Sequence, residues 1–360
     1  HLARRQSWAG SQAEVADERV QLALRACRQH LLHSRTVVDG PRQQCQPFDR
    51  VGRGRVVQPD GGPLCGAVVS GHFGDGSATG GELPSTPMSN VLITGCSSGF
   101  GELAALTFAD HGHRVYATMR TPGKSAALAA RADVHQFELD VTDSTSVNAA
   151  VEHVLADAGS IDIVVNNAGI EVYGPIHLLA DDEVARQLDT NVTGVVRVVR
   201  AVVPAMLANG GGTIVNVGSV AGLVGTPYGG IYAASKHAVE AISEALHFEL
   251  SQQGIRVRVV EPGQFSTQLG ANGLLAAAMT PDTAEFQRRE RFHIAQRSLV
   301  NGEPAPAQQV ADVIYQAATE QPGTLRYPVG ADAELIIATK AAMSVEGCDT
   351  TRRATLNWYE

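Results

Sequence analysis

The sequence has no basic excess. Its net charge is −9 over 360 residues, so it lacks the electrostatic footprint by which proteins hold nucleic acid or an anionic membrane surface. No uninterrupted apolar run reaches the roughly 18 to 20 residues of a bilayer span; the valine-rich stretch near residue 195 is broken by Arg197 and Arg200. The five cysteines (Cys27, Cys45, Cys65, Cys96, Cys348) are odd in number, scattered and free of any C-x-x-C pair. Neither a disulfide framework nor a metal site is expected, and a reducing cytoplasm suits the chain. Internal repeats are absent. The first 87 residues also lack lysine, although they carry ten arginines.

That N-terminal stretch has little else to organise it. Residues 14–32 could form a helix, but its apolar stripe is ragged, and residues 52–81 are glycine-rich without periodicity. Arg4-Arg5 precedes Gln6-Ser7-Trp8 rather than an apolar segment, unlike a twin-arginine export signal. Residues 1–87 are therefore expected to be a disordered extension, foreign to the natural protein or a partner-binding arm. Met88 stands immediately before the first convincing strand.

From Ser89 onward, short apolar runs alternate with helical periodicity, as in an α/β protein with a doubly wound parallel sheet between two helical layers. Strands are expected at 91–94, 114–119, 134–139, 161–165, 212–217, 255–260 and 327–329. Helices are expected at 100–111, 125–131, 144–157, 181–208, 231–252 and 308–319. The catalytic domain would span 88–340. Residues 264–304, where periodicity fades, would form a substrate lid, and 341–360 a C-terminal tail. Leu274, Leu275, Met279 and Phe286 in the lid point to an apolar substrate. A hydrophobic content of 44% supports a sizeable core.

The organising stretch is Val91 to Gly101, in which a strand, a glycine-rich turn and a helix follow one another. Gly95 would allow a sharp turn, Gly99 the approach of a pyrophosphate to the main chain, and Gly101 close packing of helix on strand. The N–H groups at the helix start would face the phosphates. Strand two ends Thr118-Met119-Arg120, with no carboxylate to hold an adenosine ribose hydroxyl and one guanidinium to match a phosphate. That favours NADP(H) over NAD(H).

Downstream, Tyr232 and Lys236 stand four residues apart on one helix face. A free phenol ionises near pH ~10, and a fixed lysine charge would bring it toward a useful acid/base range. Ser219, at the end of strand five, could hydrogen-bond a substrate oxygen. Other polar features have plainer readings. His237 is structural, Asp181, Asp182 and Glu183 cap a helix, Cys96 fills space, and Arg288, Arg289 and Arg291 form a solvated face. Glu261 could contact substrate or end its strand.

With these motifs together, residues 90 to about 335 resemble the short-chain dehydrogenase/reductase superfamily, most closely its hydroxysteroid and retinol dehydrogenase branch. The resemblance implies a Rossmann-type fold and a coenzyme site made of Gly95, Ser97, Ser98, Gly99, Phe100, Gly101 and Arg120. Asp140 and Val141 would lie near the adenine, Asn167, Ala168 and Gly169 along the coenzyme, and Pro262, Gly263 and Thr267 over the nicotinamide. Ser97 and Arg120 would hold the 2′-phosphate. Ser219, Tyr232 and Lys236 would be the catalytic trio, Tyr232 and Lys236 also touching coenzyme, with Asn191 supporting proton resupply. It further implies a small alcohol or carbonyl substrate and a homodimer or homotetramer built on helices 181–208 and 231–252. An epimerase or dehydratase, which also uses Tyr-x-x-x-Lys, and a non-catalytic coenzyme sensor are the rival readings.

Overall fold

The computed structural model describes residues 88–265, 273–299 and 305–356. The N-terminal extension and Thr267 lie outside the described residues. In chain order the elements begin with β1 (Asn90–Thr94), α1 (Gly99–Asp110), β2 (Arg114–Met119), α2 (Ala126–Ala129), β3 (Val134–Glu138), α3 (Ser144–Ala158) and β4 (Ile163–Asn166). There follow β5 (Val172–Tyr173), α4 (Asp181–Leu188), α5 (Gly194–Ala208), β6 (Gly212–Val217), α6 (Gly230–Leu250) and β7 (Ile255–Pro262). The last are β8 (Leu274–Leu275), α7 (Ala284–Leu299), α8 (Gln308–Thr319), β9 (Arg326–Val329), α9 (Ala331–Ala342) and α10 (Val345–Leu356).

Seven strands form one parallel sheet in the order β3-β2-β1-β4-β6-β7-β9. The chain runs outward from β1 to β3, returns to β4 and continues the other way. This switch opens a crevice at the carboxyl ends of β1 and β4. Strand alternation supplies both faces of the core. Val91 and Ile93 face α1 and α8 with Phe108 and Ile314, while Leu92 faces α3, α5 and α6 with Val151, Val198 and Val239.

Three local features depart from the sequence reading. Helix 181–208 is interrupted by a π-helical turn, Asp189–Thr193, where Asn191 leaves the regular helix to make side-chain hydrogen bonds elsewhere. The apparent lid contains a sixteen-residue helix, α7. The expected tail contains α10, whose Leu356 packs with Phe292 of α7. The apolar stretch also requires a correction. By length and composition, Asp181–Ala208 could span a membrane; here Val195, Val198, Val199, Val202 and Met206 turn its apolar face into the core, and Asp189 holds Arg197 at 2.8 Å.

Candidate active site

The crevice is fixed by hydrogen bonds between side chains and backbone around Thr94. Its hydroxyl accepts the N–H groups of Asn167 and Ala168, both at 3.1 Å. The Asn167 amide donates to the carbonyls of Thr94 at 2.9 Å and Gly95 at 3.1 Å. The turn after β1 is thereby bound to the end of β4. It also rests on β2, since Cys96 N–H donates to the Thr118 carbonyl at 2.9 Å.

Gly95 has φ +75°, and a Cβ there would stand 2.7 Å from Ala168 Cα. A Cβ on Gly101 would fall on the Asn167 amide and the Gly95 carbonyl. Neither position tolerates a side chain. Ser98 precedes α1 without capping it through its side chain, so the first N–H groups of the helix remain open to a ligand. This bare, positively polarised cradle fits a dinucleotide's phosphates. Ser97 and Arg120 are exposed at the same edge of the sheet. Phe100 meets Phe265 edge-on with ring centroids 5.9 Å apart, joining this turn to the segment after Pro262-Gly263. Asp140 accepts from the Thr142 N–H and hydroxyl at 2.9 and 2.7 Å, and Val141 beside it is buried.

Ser219 follows β6, its hydroxyl donating to the Pro262 carbonyl at 3.3 Å and accepting Ala221 N–H at 3.1 Å. Lys236 Nζ donates to the Val217 carbonyl at 2.7 Å and lies 5.7 Å from the centroid of the Tyr232 ring. Asn191 is buried, its amide bonding both Ile170 N–H and C=O (2.9 and 3.0 Å) and Ser235 Oγ (3.1 Å). A second polar chain runs beneath, from Asn166 through Asn216 to Ser243, each step 2.8 Å.

The local electrostatics differ from the sequence reading. Burial, with the Glu171 carboxylate, pushes the Tyr232 phenol above its ordinary value, and only the Ser219 hydrogen bond acts the other way. Burial pulls Lys236 down to about 8, against the carboxylates of Glu171 and Glu240. Desolvation sets the direction, and the phenol stays protonated through neutral pH.

Several polar residues also resolve. Cys96 is buried, its thiol donating to the Ile93 carbonyl and pushed up by burial, so it is an inert packing group. Glu183 accepts Ala180 N–H at the start of α4 and Ala277 N–H, ahead of α7, at 2.7 Å. Glu261 is fully buried, near Arg326 at 4.0 Å, and pushed up to about 7 by desolvation and Glu240. Arg289 is not on a solvated face. Its guanidinium lies over the Tyr173 ring at 5.1 Å.

The short chain dehydrogenase family profile matches residues 89–274. The chain belongs to that family. It is 42% identical over 177 residues to the 3-ketodihydrosphingosine reductase of Bacteroides thetaiotaomicron, a match spanning 49% of this chain and 64% of the reductase. It is 37% identical to human 17-beta-hydroxysteroid dehydrogenase type 1, over 66% of this chain and 76% of that protein. The fold matches a short-chain dehydrogenase/reductase from Burkholderia phymatum in complex with NAD, with TM-score 0.61 and 28% identity over 72% of this chain and 94% of the other. A hydride-transferring dehydrogenase or reductase that binds NAD(P) follows from membership.

Sequence reasoning missed Glu171, Tyr173, Gln187 and Ser235. Gln187 bonds Val172 N–H at 2.7 Å and the Ile170 carbonyl at 2.9 Å. The signal for Glu171 was a lone carboxylate two residues beyond Asn167-Ala168-Gly169.

Proposed function

We propose that this short-chain dehydrogenase is an NADP(H)-dependent oxidoreductase that interconverts a secondary alcohol and ketone, or a primary alcohol and aldehyde, on an apolar molecule. The convergence of Ser219, Tyr232 and Lys236 on one crevice carries the reading. The bound nicotinamide supplies or accepts the hydride. Tyr232 donates the proton to the carbonyl oxygen in reduction and takes it from the hydroxyl in oxidation. Its phenol stays protonated at neutral pH, the form a proton donor needs. Ser219 orients and polarises that oxygen. Lys236 holds the ribose hydroxyls and favours the phenolate during transfer, and Asn191 keeps the strand-four loop and helix α6 in register for proton resupply.

NADP(H) is favoured because β2 ends in Arg120 with no carboxylate, and a guanidinium is a permanent cation that matches phosphate. Ser97 at the same edge would share the 2′-phosphate, and Thr267 would bond the carboxamide. The apolar substrate is supported by Leu274, Leu275, Met279 and Phe286, and by the steroid and sphingosine in the relatives' names. The reading includes a catalytic domain over 88–340, a cytoplasmic location and a homodimer or homotetramer. Exposed Phe248 and Val196 on the long helices favour the assembly.

Tyr232→Phe tests the chemistry. Turnover of a reducible ketone should fall by about 100-fold to 10,000-fold, with NADPH still bound. Retained turnover would move the acid/base group elsewhere.

A further inference from the structure

The segment that leaves β7 is held by a side chain from much later in the chain. Gly263 N–H donates to the Val329 carbonyl at 2.9 Å, carrying the β7–β9 ladder past Pro262. The next N–H, that of Gln264, donates to Asp332 Oδ2 at 2.6 Å across 68 residues of sequence. Asp332 lies in the first turn of α9, beyond residue 274, where the match to the family profile ends.

The backbone around this contact is shaped to admit the carboxylate. A Cβ on Gly263 would fall on it, and one on Gly330 would stand 2.7 Å from Asp332 Oδ1. The same Gly330 position is 3.4 Å from the Phe265 ring. Phe265 forms a β-bridge with Ala305 and meets Phe100 of the coenzyme turn edge-on, with centroids 5.9 Å apart. Gly263 to Phe265 thus reach from the start of α9 to the coenzyme turn.

Satisfying the Gln264 N–H does not require Asp332. Gln264 is exposed, and water could take that hydrogen bond. Nor does Asp332 cap its own helix, whose N-cap is Gly330 with no side-chain bond. What the bond does is fix the segment, and a carboxylate accepting a backbone N–H holds about twice as strongly as a neutral acceptor. The phosphate turn has its own frame through Asn167 and Gly95, so releasing the segment leaves that turn in place.

We propose that Asp332 is a positioning residue for the coenzyme. Acting through the Gln264 main chain, it holds Pro262–Phe265 against the nicotinamide half, and the adenosine half seats without it. This rests on the coenzyme reading above, in which Pro262 and Gly263 lie over the nicotinamide.

The test measures dissociation constants for the full-length wild type, Asp332→Ala and Asp332→Asn. The ligands are NADPH and adenosine 2′,5′-bisphosphate, which carries the adenosine half without nicotinamide; NADH and ADP-ribose form the parallel pair for a chain that takes NAD(H). Asp332→Ala should weaken the dinucleotide by about tenfold, the scale of one charge-assisted hydrogen bond, and change its nicotinamide-free partner by less than about twofold. Asp332→Asn, which still offers an oxygen to the Gln264 N–H, should recover most of the loss. Asp332→Ser, polar but too short to reach, repeats the test if the alanine variant does not fold. Equal weakening of both nucleotides would make Asp332 a scaffold residue and overturn the proposal, as would an unchanged dinucleotide or an asparagine variant no better than alanine. A wild type that holds the dinucleotide no tighter than its nicotinamide-free partner overturns the positioning role alone. One that binds no member of either pair overturns the coenzyme reading as well.

Discussion

The floor of the crevice and its mouth are built on different physics. At the floor, Thr94, Gly95, Asn167 and Ala168 lock through short hydrogen bonds in which every partner is neutral, and glycines stand where any side chain would collide. At the mouth, Glu171, Lys236, Arg289 and the phenols of Tyr173 and Tyr232 hold one another through charge in a partly dry setting. Neutral geometry tolerates pH and salt but no change of shape. Charged geometry accepts changes of shape and responds to pH. A site that must seat a large invariant ligand and also move a proton uses each where it suits.

The sharpest way to break the floor is Gly101→Val. Its side chain would overlap the Asn167 amide and the Gly95 carbonyl, both part of the locked frame. Overpacking of this kind costs about 1–3 kcal/mol or more, and the variant should express as aggregate or melt at least several degrees lower, without coenzyme affinity. A milder break is Asn167→Ala. Losing the two bonds to Thr94 and Gly95 should cost about 1–3 kcal/mol in denaturant unfolding and weaken NADPH severalfold, with no pH dependence in that loss.

The mouth should respond to pH. Burial lowers Lys236 to about 8, so its positive charge is present below that value and lost above it. The phenol, shifted upward, remains protonated across the same range. Ketone reduction should therefore fall as pH rises through about 8, measured as kcat/KM between pH 6 and 10. A flat profile would show that the lysine keeps its charge. The same shift bears on folding. The unfolded chain holds the lysine proton to higher pH than the native state, so this group's contribution to stability improves as pH climbs from about 8 toward the ordinary lysine range.

Much of the floor was legible in the sequence because its logic is local. Gly95, Gly99 and Gly101 follow an apolar strand, and Tyr232 and Lys236 share a helix face whatever surrounds them. The sheet itself follows from the alternation of strand and helix periods, down to helix Gln308–Thr319. The mouth was less legible because burial and charge there come from segments far apart in the chain. The Lys236 ammonium looked able to lower the phenol's pKa from four residues away, but desolvation by the whole fold reverses the sign. Arg289 looked solvated among its arginine neighbours until α7 set it over Tyr173, more than a hundred residues earlier. The π turn at Asn191 was hidden because valines at helical spacing run straight past it, and the polar bonds that cause it lie on other elements. Helix α7 escaped because it offers few apolar positions, Phe292 being the deeply buried one among its described side chains.

Coenzyme titration of the full-length chain with NADPH and with NADH, followed by fluorescence, tests the account most directly. The account predicts NADPH tighter by at least about tenfold, the scale of a guanidinium–phosphate contact, with the difference abolished in Arg120→Ala. Equal affinities would remove Arg120 from the coenzyme site, and no binding of either nucleotide would contradict the enzyme reading itself.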